Sequence, residues 1–179
     1  IDPTQRAARS EGRSPAAILV TTFADELLCS YNGQSRVVVV SVKDMGAISM
    51  AGHSGTAYLF SKASCEFVTS TYYLDEYPGW VQAFNAVKPA SRFANTAWEL
   101  LHAQDSYLFG DADDRDWEAD VAGFGRTFPH SFGDGSSPYF TTWLTLSPAG
   151  DELVLDFAKQ ALVGEQLGQD DVTDYLSVS

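Results

Sequence analysis

The sequence predicts an α/β chain: a partial sheet flanked by helices, interrupted by a loop-rich insertion. Three observations carry this. Val37, Val38, Val39 and Val40 follow one another within residues 36–42, and an unbroken β-branched run is the pattern of a strand buried on both faces. Helix-start signals stand on either side, Ser14-Pro15 before it and Ser147-Pro148 far after it. Between residues 88 and 147 no apolar period holds, and Asp, Gly and aromatic residues dominate. Helix, short turn and buried strand in succession is the grammar of a parallel sheet under helices.

Residues 1–12 are polar and charged and read as a surface arm. A hydroxyl cap and a proline at the first helical position open a helix-compatible stretch over residues 16–31, with a break expected at Thr21-Thr22. Asn32-Gly33 is a stop signal. The valine strand ends before Lys43-Asp44, which places those two residues where open α/β sheets bind ligands, outside the carboxyl ends of the strands. Residues 66–73 are rich in Val, Thr and Tyr and read as a second strand. Residues 80–86 read as a short helix.

After Ser147-Pro148, Asp151 and Glu152 lie in a first helical turn, where the dipole favours negative charge. Val154, Phe157, Ala158, Ala161 and Leu162 then form an apolar stripe at helical spacing, and Gly168 is read as the stop. Residues 174–179 read as a strand. Such a strand at the side of an incomplete sheet would need cover for its open edge. The chain divides accordingly into residues 1–87, a core segment; 88–147, a cap or insertion; and 148–179, a core helix and strand.

With 179 residues, 45% of them hydrophobic, the chain is long and apolar enough to build a core. Its formal net charge of −13 repels nucleic-acid backbones and anionic lipid surfaces, so neither is an expected partner. A small phosphorylated substrate remains compatible, because one nearby cation outweighs a diffuse field at close range. No apolar run has the length of a membrane span and no signal-peptide pattern stands at the start. Cys29 and Cys65 are read as separate thiols, with a disulfide as the alternative.

Most polar clusters have a plain reading. His53, His102 and His130 are too dispersed for a local metal motif. The run Asp111 to Asp116 resembles a calcium loop, but Asp116 stands at its turn glycine and Ala122 at its bidentate glutamate, so it reads as a solvated acidic turn. Gly133-Asp134-Gly135 lacks the Gly-Lys-Ser/Thr ending of a phosphate loop and reads as a turn. Ser70 has no nucleophile elbow around it. Lys43 stands out. An ammonium at the end of a buried strand is held near the sheet and can neutralise a phosphoryl oxygen as charge builds on it. The competing reading is an ion pair with Asp44 or with an acid of the insertion.

Several long segments carry a family resemblance: SPAAILVTTFADELL, VVVVSVKDMGAISMAGHSGTAYLF, EFVTSTYYLDEYPGWVQAFN and SPAGDELVLDFAKQALVGEQLGQDDVTDYLSVS. With WELL, DADDRDWE and FPHSF, they resemble the type I phosphodiesterase/nucleotide pyrophosphatase branch of the alkaline phosphatase superfamily, in particular bacterial secreted zinc-dependent alkaline phosphatases with a threonine nucleophile. The resemblance implies an alkaline-phosphatase-like sheet, two zinc ions and periplasmic or secreted location. It also implies that the nucleophile and every zinc ligand lie outside this chain, which would be the inactive middle of a larger phosphate-ester hydrolase that needs the rest of the parent chain to complete sheet and site. One element carries over. In the family a K-x-R pair contacts the phosphoryl group; here Lys43 matches the lysine and Met45 stands where the arginine would be. A thioether cannot replace a guanidinium's bidentate grip, so monoester, diester and phosphonate chemistry stay open, as does a non-catalytic binding domain derived from the fold. Trp98, Tyr107, Trp117, Phe128 and Tyr139 fall where the family carries insertions over its active site.

Overall fold

A computed structural model of the chain describes residues 14–179; the arm read at residues 1–12 lies outside the described residues. The chain forms two compact units. One comprises residues 14–89 and 151–179 of the described chain, the other Ala90–Gly150.

The first unit is built on a four-stranded sheet. β1 (Val37–Ser41), β2 (Thr56–Ser61) and β6 (Tyr175–Val178) run parallel, and β3 (Glu66–Val68) returns antiparallel on β2, in the order β3-β2-β1-β6. β1 is therefore central. Its residues are all buried, as the valine run requires. Alternate side chains serve opposite faces. Val37 and Val39 join Ala57, Leu59 and Val68 against α1 (Phe23–Ser30) and α2 (Asp44–Ala51), whose contact residues Ala24, Ala47 and Ala51 are small and let the helix backbones come close. On the other face aromatic rings fill the layer under α3 (Gly79–Ala86) and α5 (Pro148–Gly164). Phe157 of α5 stacks on Phe67 at 4.2 Å between centroids and packs against Tyr58, Trp80 and Phe84.

Helix ends follow local chemistry. The break expected at Thr21-Thr22 is present: a 3-10 turn covers Pro15–Ala17, and Thr22 opens α1 with a capping box in which its hydroxyl and the Asp25 carboxylate satisfy each other's backbone N–H groups. Asn32, at φ 52°, closes α1 through Gly33 N–H to Leu28 C=O (2.7 Å) and Asn32 N–H to Cys29 C=O (3.1 Å). α5 stops at Gly164, earlier than Gly168. The same motif closes it around Gln166 (φ 54°), with Leu167 N–H on Leu162 C=O and the buried Leu167 as its apolar contact. Trp80 lies so close to Gly164 that a Cβ there would sit 2.4 Å from the indole. The buried stripe of α5 contains Leu153 rather than Leu162, which is 43% exposed.

Other departures have physical reasons. The strand expected over residues 66–73 ends at Val68. Thr69 donates its hydroxyl to Ala57 C=O at 2.6 Å, and the chain then turns on Ser70, whose carbonyl accepts from Tyr73 and Leu74. α2 and β2 were not anticipated, because residues 44–61 mix glycine, serine and apolar residues without a clean period. The outer edge of β3 is covered by one side chain. The buried Asn85 amide accepts from Phe67 N–H (3.0 Å) and donates to Phe67 C=O (2.8 Å), a substitute for a fifth strand.

The second unit has little regular structure: a 3-10 turn at Pro89–Phe93 leads into it, followed by a two-residue ladder of β4 (Ala97–Trp98) on β5 (His130–Ser131), a second 3-10 turn at Gln104–Ser106, and α4 (Phe140–Thr145). Aromatic stacking supplies its interior. Phe124 lies flat on Trp143 at 5.6 Å, and Trp98 meets Phe128 edge to face at 5.0 Å.

Asp25 holds more of the first unit than its capping role suggests. Besides Thr22, its carboxylate accepts from the backbone N–H groups of His53 (2.8 Å) and Ser54 (2.9 Å) and faces the His53 ring at 3.2 Å, so it ties α1 to the loop after α2. Gly52 makes room: at φ 62°, a Cβ would sit 2.1 Å from Thr22 Oγ1. Burial opposes ionisation of Asp25, but the hydrogen bonds from Thr22, His53 and Ser54 outweigh it and hold the carboxyl far below its ordinary 3.8. A depressed folded-state value means that the contribution is complete above the unfolded value and is lost as pH falls through 3.8 towards the folded one. The wild-type chain is therefore expected to lose stability more steeply below pH 4 than Asp25→Asn, which starts roughly 1–3 kcal/mol less stable at pH 7. Urea melts of both proteins across pH 3–7 check this, and parallel acid profiles would contradict it. Asn85→Leu strands a buried N–H and C=O and is expected to cost about 2–4 kcal/mol in the same assay; a change under about 0.5 kcal/mol would show that β3 needs no edge partner.

Candidate functional site

Because β1, β2 and β6 are parallel, their carboxyl ends share one rim of the sheet. β1 leads directly into α2 there. Lys43 is the residue before the first helical turn; its backbone is extended (φ −110°, ψ 131°), and its carbonyl accepts from Ala47 N–H. Ser41, fully buried at the strand's end, accepts the Lys43 N–H on its hydroxyl at 3.0 Å. Val42 N–H donates to Ser179 C=O and Ser179 N–H to Val40 C=O, so the end of β6 is fastened beside the β1–α2 junction. Gly46 completes the packing: a Cβ there would stand 3.1 Å from Ser41 Oγ and 3.8 Å from Ser179 Oγ. The Lys43 backbone is thus fixed on a buried strand end while its side chain reaches solvent.

Three further residues stand at the rim. Met45 is 78% exposed on the first turn of α2, two residues beyond Lys43. Asp44 accepts from the Met45 N–H at 2.8 Å, one of the first-turn donors that helices leave open. Lys62, the residue after β2, was missed by the sequence reading. Burial and the positive charge of Lys43 both lower its pKa, so the two ammonium groups feel one another. The signal for Lys62 was its place after the apolar run TAYLFS, which becomes informative only once that run is known to be a parallel strand beside β1.

The other candidates are occupied by structural work. His53 has Nδ1 on Asp25 and Nε2 3.0 Å from Ile18 C=O, so acceptors face both ring nitrogens. Buried His130 places Nδ1 3.1 Å from Phe124 C=O, and His102 lies against the ring of Tyr107. Ser70 accepts from Tyr72 N–H. In the acidic run, Asp111 pairs with Arg115 at 2.7 Å, Asp114 with Arg126 at 2.6 Å, and Asp113 accepts from Phe128 N–H. Asp134 folds back on Ser136, as a turn aspartate does. Cys29 and Cys65 are free thiols; burial raises the pKa of Cys65, with Glu66 adding to the effect. Among the described residues no group of three or more His, Cys, Asp or Glu side chains is placed to hold a metal ion. No helix among them is long and apolar enough to cross a membrane.

No family model matches the chain. Curated relatives do. A protein of Myroides odoratus named calcium-transporting ATPase is 36% identical over 99% of this chain and 34% of its own length. Alkaline phosphatase PhoV of Synechococcus elongatus is 36% identical over 93% and 30%, and alkaline phosphatase PafA of Elizabethkingia meningoseptica 33% identical over 100% and 33%. The chain therefore spans about a third of the length of the curated relatives it matches. Two crystal structures of PafA superpose on it. A variant substituted at a threonine, an asparagine and a lysine and arginine two positions apart gives a TM-score of 0.77 at 36% identity, over 88% of this chain and 31% of that one. The wild-type enzyme gives 0.69 at 34%, with the same coverage. In sequence and in fold, the chain belongs to the alkaline phosphatase superfamily, of which it represents one segment.

Proposed function

We propose that this chain is an internal segment of a zinc-dependent phosphate-ester hydrolase, that Lys43 contacts the substrate's phosphoryl group, and that Lys62 adds a second positive charge beside it. One observation carries the reading. In a chain 33–36% identical to alkaline phosphatases, a lysine with a fixed backbone stands at the carboxyl end of the central parallel strand, just before the first turn of a helix. Two cations at one rim favour a dianionic group. From a fixed strand end, the Lys43 side chain can reach a phosphoryl oxygen and offset the charge that grows on it during transfer. The lysine and arginine substituted in the PafA variant have the spacing of Lys43 and Met45, which supports the correspondence.

The family resemblance assigns the zinc ligands and the nucleophile to the remainder of the protein. That remainder also covers the outer edge of β6, the last strand in the sheet order. The substrate is a small phosphorylated molecule; a net charge of −13 disfavours nucleic acid. Periplasmic or secreted location rests on the family resemblance. The exposed Met45, in place of a guanidinium, favours a second reading: a non-catalytic binding domain that keeps this part of the fold.

The isolated chain is expected to show no zinc-stimulated hydrolysis of p-nitrophenyl phosphate, and detectable turnover would contradict the segment reading. When the matching third of Synechococcus PhoV is replaced by this chain, a folded chimera is expected to hydrolyse the same ester. A chimera with native circular dichroism and no activity on mono- or diesters would favour the binding-domain reading.

A further inference from the structure

The second unit contains a cavity of about 460 Å³, within the range of small-ligand sites. Trp98, Phe124, Phe128 and Trp117 give it aromatic walls; Asp113 and Glu118 line it with them, as does Arg126, whose charge is offset by its pair with Asp114. The rings of the interior are held in place. Trp98 meets Phe128 edge to face, and Phe124 is clamped between Trp143 and His130, 4.9 Å from the imidazole. Trp117 differs: it is 80% exposed, an indole at the mouth rather than in the packing.

The electrostatics of this unit are one-sided. Residues 111–120 hold six carboxylates and one arginine. The unit's arginines are already engaged: Arg115 with Asp111, Arg126 with Asp114 and the Arg115 carbonyl, and Arg92 over the ring of Phe93 at 4.7 Å. Asp113 and Glu118 each accept a backbone N–H, from Phe128 and Arg115, which fixes them beside the cavity.

We propose that this cavity binds an organic cation, a quaternary ammonium or methylated amine. Aromatic faces carry negative quadrupole density and attract cations, most strongly where water is displaced. Methyl groups on the nitrogen spread its charge and suit an apolar wall, while Asp113 and Glu118 supply the opposite charge. A neutral aryl group would use the rings and gain nothing from the carboxylates. An anion would meet an acidic field whose arginines are already paired. The inference stands on the second unit alone and does not depend on the role of Lys43.

Calorimetric titration of the full chain with choline and with its uncharged isostere 3,3-dimethylbutan-1-ol tests the proposal. Choline is expected to bind saturably and about tenfold or more tighter than the isostere. Trp117→Ala, at an exposed position, is expected to weaken choline binding several-fold without shifting the melting temperature, and Glu118→Gln, at a half-buried one, to weaken it several-fold in a protein that still folds. Equal affinity for the two ligands would overturn the cation assignment in favour of a neutral apolar site. Absence of saturable choline binding, or binding unaffected by Trp117→Ala in a folded protein, would overturn the site itself.

Discussion

Parallel pairing of β1 on both sides is the constraint on which the rest of the first unit depends. Val38 stands opposite Thr56 on one flank and Leu176 on the other, and Val40 opposite Tyr58 and Val178. A strand hydrogen-bonded on both edges and buried on both faces cannot slip by one residue without exchanging its two faces. The same pairing brings the ends of three strands to one rim and delivers Lys43 there. Ser41 and Gly46 then hold the β1–α2 junction tightly, one by accepting the Lys43 N–H and the other by having no side chain.

Polar side chains complete what the sheet cannot satisfy. Asp25 collects the donors of a helix start and of the loop after α2, and Asn85 stands in for a missing strand beside Phe67. Both are buried, so each hydrogen bond matters chiefly for the penalty its loss would incur. The two units thus rest on different physics. The first is an aliphatic and aromatic sandwich around a sheet, whereas the second relies on ring stacking and on arginine–carboxylate pairs within an acidic loop.

The central strand, the helix starts, the α1 break and the strand at residues 175–178 were legible in the sequence because each rests on local chemistry: a valine run, a hydroxyl with proline, paired threonines. What escaped was decided by distant partners. β2 became a strand by pairing with β1, and residues 69–73 left the sheet when Thr69 bonded back to Ala57. α5 ended at Gly164, and the left-handed residue that closes it is Gln166 rather than the glycine expected at 168. At the rim, Lys43 was visible as a lysine ending a buried strand. Lys62 was not, since only the register of β2 on β1 makes it a neighbour. The several roles of Asp25 depend on a loop 28 residues further along the chain.

In the proposed site the ammonium of Lys43 meets the phosphoryl group. Inhibition by inorganic phosphate reads that contact most directly, in the chimera carrying this chain, because phosphate occupies the site without turnover. With Lys43→Met, which conserves length and apolar stem, the inhibition constant is predicted to rise by about tenfold or more, the equivalent of roughly 1.4 kcal/mol of lost charge-assisted contact. An unchanged inhibition constant in a folded, zinc-loaded protein would contradict the account.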